Sequence, residues 1–381
     1  MSASQAGFHF EVEATCKKSG ARAGLLTTPN GVAQTPLFMP VGTRGTVKGM
    51  TPAQVKDAGS TVILANTYHL HLRPGEATVK QLGGLHKFMN WDGPILTDSG
   101  GYQVFSMSDL RELNEEGVKL KSIIDGDIIH LTPENVMQIE VDLGADIIMA
   151  FDHCPSDPLD RDGVEAATMR TGRWLERCVA KYEELGGIAS GHALFGIAQG
   201  GAFEDLRQTS IDHITSHDLF GYAIGGVSVG EHKTALVQAI DFAAKRLPPE
   251  KPRYLMGVGT PEDFFEAILR GVDMFDCVTP TRHGRMHQAF TSQGRMNLRN
   301  QRWQHDTAPM DPDCSCEACR GFSRGYIRHL SKVGELLGGI LISIHNVHFF
   351  HSLMSEMRQA IIESRLPELQ ERYLEVMTRR I

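Results

Sequence analysis

The sequence has no apolar run approaching the roughly 18 residues that a membrane-crossing helix needs, so no membrane partner is expected. Its opening residues, Met1-Ser2-Ala3-Ser4-Gln5, have neither a basic start nor an apolar stretch, which speaks against a signal peptide and for a cytoplasmic location. No repeat of fixed period and no low-complexity tract is present, which sets aside repeat arrays and disordered linkers. Cysteines are few and odd in number, seven in 381 residues. In a reducing compartment such thiols are metal ligands or buried apolar groups more often than disulfide partners. Positive charge is also short: 38 Lys and Arg against 46 Asp and Glu leave a formal net charge of −8. That balance alone counts against a nucleic-acid partner. Its distribution argues the other way, because residues 282–332 hold nine basic and four acidic side chains. A basic segment on an acidic body is the footprint of local phosphate contact, and equally of a solvated surface laced with ion pairs.

What is present suits a large core, with 41% hydrophobic residues. Eight short apolar runs punctuate the first 280 residues: 36–39, 61–65, 94–97, 147–151, 194–198, 221–224, 254–256 and 272–275. Continuous runs of this length fit strands buried on both faces. Between them, Thr51-Pro52, Thr132-Pro133-Glu134 and Thr260-Pro261-Glu262 each place a capping threonine before a first-turn proline. The last of these helices is expected to run to Gly271. Eight strands alternating with helices predict an α/β fold, a (β/α)8 barrel, with a doubly wound open sheet as the runner-up. Residues 8–15 alternate like a strand closing one end. Residues 118–131 alternate around Asp125-Gly126-Asp127 as an inserted hairpin. The expected division is a barrel over 1–283, a basic metal-binding subdomain over 284–350 and a C-terminal helical segment over 351–381.

Cys314, Cys316 and Cys319 place three thiols within six residues. Thiolates so grouped favour a tetrahedral zinc ion closed by a later ligand, and His329, His345, His348 and His351 are all candidates. A full set of protein ligands would make the site structural.

In a barrel, chemistry gathers where strands end. The third run ends in Asp98-Ser99-Gly100-Gly101-Tyr102, the fourth in Asp152-His153-Cys154 and the fifth in Gln199-Gly200-Gly201. The sixth ends in residues 225–231, the seventh in Gly257-Val258-Gly259 and the eighth in Asp276-Cys277. A lone aspartate at a loop start is often only a helix cap. Three converging on one mouth suggest acid–base and nucleophilic work at an anomeric carbon, as in retaining glycosidases, or the binding of a metal. Glycines at the fifth to seventh ends would admit a flat ligand or a phosphate.

Residues 97–103, 225–231, 252–259 and 274–282, together with the cysteine cluster and His345-Asn346, resemble tRNA-guanine transglycosylases across essentially the whole chain. The resemblance implies a barrel with a zinc subdomain, a bacterial-type homodimer, and exchange of the wobble guanine of certain tRNAs for a deazaguanine base. It makes Asp276 the nucleophile on ribose and Asp98 the general acid/base. Asp152, Gln199 and the backbone at Gly226 would read the guanine edge, with Tyr102 and Met256 enclosing the ring. Cys154 and Val229 would narrow the space beside the incoming base, and Val227 and Glu231 would meet its aminomethyl group. The same resemblance selects His345 as the fourth zinc ligand and places Arg282 and Arg285 on the RNA backbone. The sequence departs from the bacterial pattern at residues 153–156, at Ser228 and at Met286-His287. A rival from another class is a metal-dependent barrel hydrolase with Asp98, Asp152 and Asp276 as ligands. It would need His69, His71 or His153 beside them.

Overall fold

Each of the eight apolar runs forms a strand, because a barrel strand is covered by lumen on one face and helices on the other. The computed structural model describes residues 2–4, 6–106, 112–155, 157–228, 230, 232–377 and 379–381. The barrel strands are Leu37–Gly42, Ile63–Asn66, Ile95–Asp98, Ile147–Met149, Ala193–Ala198, Gly221–Ile224, Arg253–Leu255 and Met274–Cys277. They pair in parallel in chain order, and the eighth returns to the first with Asp276 opposite Met39. Closure eliminates the open sheet. Thr51, Thr132 and Thr260 each cap a helix with reciprocal side-chain and backbone hydrogen bonds. The third of these helices is Pro261–Ile268, so it stops short of the expected Gly271.

The amino-terminal end of the barrel is plugged. His9–Thr15, Arg22–Thr28 and Gly31–Thr35 form a three-stranded antiparallel sheet, two strands more than the alternation revealed. Phe8, Phe10 and Leu26 pack into the lumen against Leu96, Met149 and Phe195. Polar groups fix the plug: Asn30 donates to Asp146 at 2.9 Å, and the buried Arg22 pairs with Asp273 at 2.5 Å. Asp146 and Asp273 precede the fourth and eighth strands, so the carboxy-terminal mouth is left for chemistry. The inserted hairpin is Val118–Lys121 with Ile128–Leu131, joined at its edge by Glu112–Leu113.

Two expected boundaries do not coincide with breaks. Residue 283 falls within the helix Thr279–Arg285, and residue 350 within the single helix Leu336–Ile362. This 27-residue helix also corrects the reading of apolar runs, being long and apolar enough by composition to cross a membrane. Of its most apolar window, 67% is buried inside this chain. The reason lies in its contacts. Asn346 accepts from Phe290 N–H at 3.0 Å and donates to the carbonyls of Pro280 and Gln288, tying the helix to the chain that leaves the eighth strand. Gly284 permits the close approach, since a Cβ there would lie 2.3 Å from Ser343 Oγ.

Candidate active site

The carboxy-terminal mouth opens into a cavity of about 500 Å³ lined by Asp98, Tyr102, Asp152, Cys154, Gln199, Gly226, Val227, Met256, Asp276 and Arg282. Strand register explains one half of it. Asn66 ends the second strand directly opposite Asp98 on the third. Its amide donates to Asp98 Oδ2 at 2.5 Å, while Thr67 N–H reaches Oδ1 at 3.0 Å and Gln103 donates to Oδ2 at 3.2 Å. Burial outweighs these donors, and the negative Asp276 nearby adds to it, so the Asp98 carboxyl is pushed up to about 7. Asp276 accepts at Oδ1 from the Tyr254 hydroxyl at 2.6 Å and from Gly257 N–H at 2.7 Å. Burial raises it too, opposed by these two bonds. Two carboxyls in one cavity are thus distinguished, one titrating near neutrality and one aimed by donors on a single oxygen.

The opposite wall is a hydrogen-bonding plane. Asp152 accepts from Ser99 at 3.0 Å and from the Gln199 amide at 2.7 Å, and burial raises it to about 6. Gln199 Oε1 is buried without a hydrogen-bond partner. Glycine is required beside both groups: a Cβ on Gly101 would lie 2.5 Å from Asp152 Oδ1, and one on Gly226 2.3 Å from Gln199 Oε1. Behind this wall the helix Glu204–Thr215 supplies its support. Ser210 accepts from Gln199 N–H at 2.8 Å, and the buried Arg207 donates to the carbonyls of Ala198, Gly201 and Gly225. Arg207 therefore fixes the backbone on both sides of Gln199 and ahead of Gly226.

At the rim Tyr102 is 53% exposed, whereas Cys154 and Val227 are buried in the wall. Val229 and Glu231 lie outside the described residues. Arg282 and Arg285 are exposed on the helix Thr279–Arg285, and partial burial together with the neighbouring Arg282 lowers Arg285. Most other cations of the basic segment are engaged internally. Arg295 pairs with Glu262, Arg324 with Asp306, and Arg299 and Arg328 donate to backbone carbonyls. The exposed Arg44 and Lys48 add positive charge beside His69, depressing that imidazole together with burial. His153, singled out as a possible ligand, turns away: its N–H meets Thr171 Oγ1 at 3.0 Å and its ring meets Arg170 at 3.1 Å. Among the described residues, Asp98, Asp152 and Asp276 belong to no group close enough to share a metal ion. The hydrolase reading loses its centre.

Sequence reading missed Asn66, Gln103, Tyr254 and Arg207. Only the Asn66–His69 capping pattern carried a signal for any of them, since Asn66 also caps the helix Thr67–Leu72.

A separate cluster joins Cys314, Cys316, Cys319 and His345, whose ligand atoms all lie within 4.8 Å of one another. His345 Nε2 sits 2.7 Å from the Phe290 carbonyl, which fixes a proton on that nitrogen. Nδ1 then presents its lone pair to Cys319 and Cys316 Sγ at 3.3 and 3.7 Å. Three thiols and one oriented imidazole fit a tetrahedral metal ion.

A closed parallel barrel with three buried carboxyls and a hydrogen-bonding amide at one mouth defines a (β/α)8-barrel enzyme of the group-transfer kind. The family described as Queuine tRNA-ribosyltransferase matches residues 16–379, and the chain belongs to that family. A queuine tRNA-ribosyltransferase of Desulforamulus reducens is 53% identical over 96% of this chain and 98% of its own length. That of Halalkalibacterium halodurans is 50% identical over 96% of each chain. That of Pelotomaculum thermopropionicum is 51% identical over 94% of this chain and 95% of its own.

Proposed function

We propose that this enzyme is a tRNA-guanine transglycosylase. It exchanges the wobble guanine of tRNAs with GUN anticodons for 7-aminomethyl-7-deazaguanine, a step of queuosine biosynthesis. The observation that carries the reading is that Asp98 and Asp276, close enough to interact, share one cavity with the hydrogen-bonded Asp152–Gln199 pair. Guanine offers donors at N1 and N2 for the Asp152 carboxylate and an acceptor at O6 for amide hydrogens such as that of Gly226. Tyr102 and Met256 border the space for the ring. A base of the anticodon loop is already unpaired, so turning it into the cavity costs less than extraction from a duplex. Arg282, Arg285, Arg44 and Lys48 offer the phosphates of that loop a positive rim.

The chemistry balances in two displacements. Asp276 attacks C1′ of the ribose, the C1′–N9 bond breaks, and guanine leaves with the electron pair and a proton from Asp98. The incoming base then yields its proton to the Asp98 carboxylate, and its N9 displaces Asp276 from C1′. Two inversions retain the anomeric configuration. Asp98 must hold its proton when guanine departs. Its pKa lies above the usual value, near 7, so kcat/KM for tRNA is expected to fall as pH rises through about 7. The residual activity of Asp98→Asn should lack this limb. An unchanged limb in that variant would assign the titration to another group.

The aminomethyl base is favoured over queuine by the buried Cys154 in the cavity lining and by a valine rather than a glycine at sequence position 229. A bulky cyclopentenyl group there meets overpacking of roughly 1–3 kcal/mol per misfit. In competition with labelled guanine on a wobble-guanine tRNA, the aminomethyl base should be incorporated and queuine excluded, with Val229→Gly admitting queuine. Efficient queuine use by the unaltered enzyme would overturn the assignment of the base, and absent guanine exchange would overturn the function.

The resident ion fitting the Cys₃His cluster is one zinc per chain in a structural role, because all four positions are filled by protein donors. A second copy of the chain is the fitting cover for Tyr326, Val333, Leu336 and Leu337, exposed by 41%, 58%, 83% and 39% along one stretch. Light scattering at micromolar concentration should return twice the chain mass, and the monomer mass would remove the homodimer.

A further inference from the structure

Remote from the mouth, on the outer helical layer, three side chains with metal-binding atoms converge from neighbouring helices. Glu176 lies on the helix Arg161–Glu184, His213 on the helix Glu204–Thr215, and His217 just beyond it. We propose that Glu176, His213 and His217 form a second metal site, taking a borderline divalent ion such as zinc, nickel or cobalt and pinning these two helices together.

The geometry is that of a chelate. His213 lies in the last turn of its helix and His217 two residues past its end, where the chain turns back toward the same carboxylate. Both Nε2 atoms point at the same atom, Glu176 Oε1, from 3.0 and 3.1 Å. All three ligand atoms lie within 4.8 Å of one another. A tetrahedral ion with bonds of about 2.0–2.1 Å holds its ligand atoms about 3.3 Å apart, so a small withdrawal of the carboxylate makes room for it. Two imidazoles and a carboxylate are the donors such ions prefer. The positions are also prepared. His213 is seated against Gly172, where a Cβ would lie 2.3 Å from Nδ1, and the His217 carbonyl is held by the Tyr222 hydroxyl at 2.7 Å. With side chains 54%, 32% and 19% exposed, water can reach the remaining coordination position.

The site has a consequence for the fold. The same helix carries Arg207 and Ser210, which support the backbone of Gln199 and Gly225. An ion at its far end ties that support to the neighbouring helix. Metal binding itself does not depend on the proposed transferase reading.

The test uses the full chain with its Cys₃His cluster already loaded with zinc. Calorimetric titration with nickel should show one saturable site per chain and a raised melting temperature. His213→Ala and His217→Ala should each abolish both effects, and Glu176→Gln should weaken binding by roughly tenfold or more. Zinc content should stay at one per chain in every variant, separating this site from the cysteine cluster. No saturable uptake by the unaltered protein would leave only ion pairs between imidazolium and carboxylate, and uptake unchanged in the two alanine variants would place nickel elsewhere. Either result overturns the proposal.

Discussion

Asp276→Asn is expected to lower guanine exchange by on the order of 10⁴-fold or more, the scale seen when a covalent nucleophile is removed. An amide keeps the size and the hydrogen-bonding shape of the carboxyl, so the cavity and its plane around Asp152 should survive. What goes is the negative oxygen. In the native enzyme Oδ1 is occupied by Tyr254 and Gly257, which orients the carboxylate, and in the proposed displacement the second oxygen attacks the ribose carbon. Asparagine retains an acceptor for those two donors and presents a poor nucleophile at the other position. Affinity for tRNA, set by the rim cations and the base-reading wall, should change by less than about tenfold. A variant that kept exchange within an order of magnitude would move the nucleophile elsewhere, with Asp98 the next candidate.

Loss of the metal should have the second large effect, on folding. Cys316→Ala removes one of four ligands from a segment whose own core is small: Ala289, Met296, Leu298, Trp303, Met310 and Ile327 lead it, and two of the cysteines belong to it. Metal binding in comparable small sites supplies about 10–16 kcal/mol, as much as the whole stability of an ordinary domain. The variant should therefore lose its zinc and accumulate as insoluble protein. The effect should spread to the mouth. His345 and Asn346 are neighbours on one helix, and Asn346 holds the carbonyl of Pro280 in the helix that presents Arg282 and Arg285. Chelator treatment of the unaltered enzyme provides a second reading, a fall in melting temperature with weakened tRNA binding. Normal melting and exchange in zinc-free protein would contradict the structural role.

Much of this was legible in the sequence, for a physical reason. Barrel strands buried on both faces must be apolar throughout, so Ala193–Ala198 and Gly221–Ile224 announce themselves, as do threonine–proline starts at 51, 132 and 260. The aspartates at strand ends were equally visible, since a charge terminating an apolar run has few other reasons to be there. Partners acting across the fold were not visible. Asn66 reads as a helix cap until register sets it opposite Asp98. Tyr254 reads as a core aromatic until its hydroxyl is seen on Asp276, and Arg207 as an ordinary helix cation until its guanidinium is found buried among three carbonyls. Spacing left four histidines open for the cysteines, and resemblance alone singled out His345. The structure places it at the thiols, while His351 is bonded to Ser60. Residues 283 and 350 lie inside helices, and the longer of these contributes side chains to two cores with no punctuation between them.

The proposed exchange requires a covalent bond between Asp276 and the ribose of the wobble nucleotide. The direct measurement is to mix enzyme with a GUN-anticodon tRNA and a base analogue unable to complete the second displacement. The products are then denatured, digested with nuclease and protease, and the modified peptide is sequenced by mass spectrometry. A denaturation-resistant adduct is expected, with the ribose on the Asp276 side chain, formed with release of one guanine per adduct and absent from Asp276→Asn. Guanine exchange without any such adduct, or an adduct mapped to Asp98, would contradict the proposed bond.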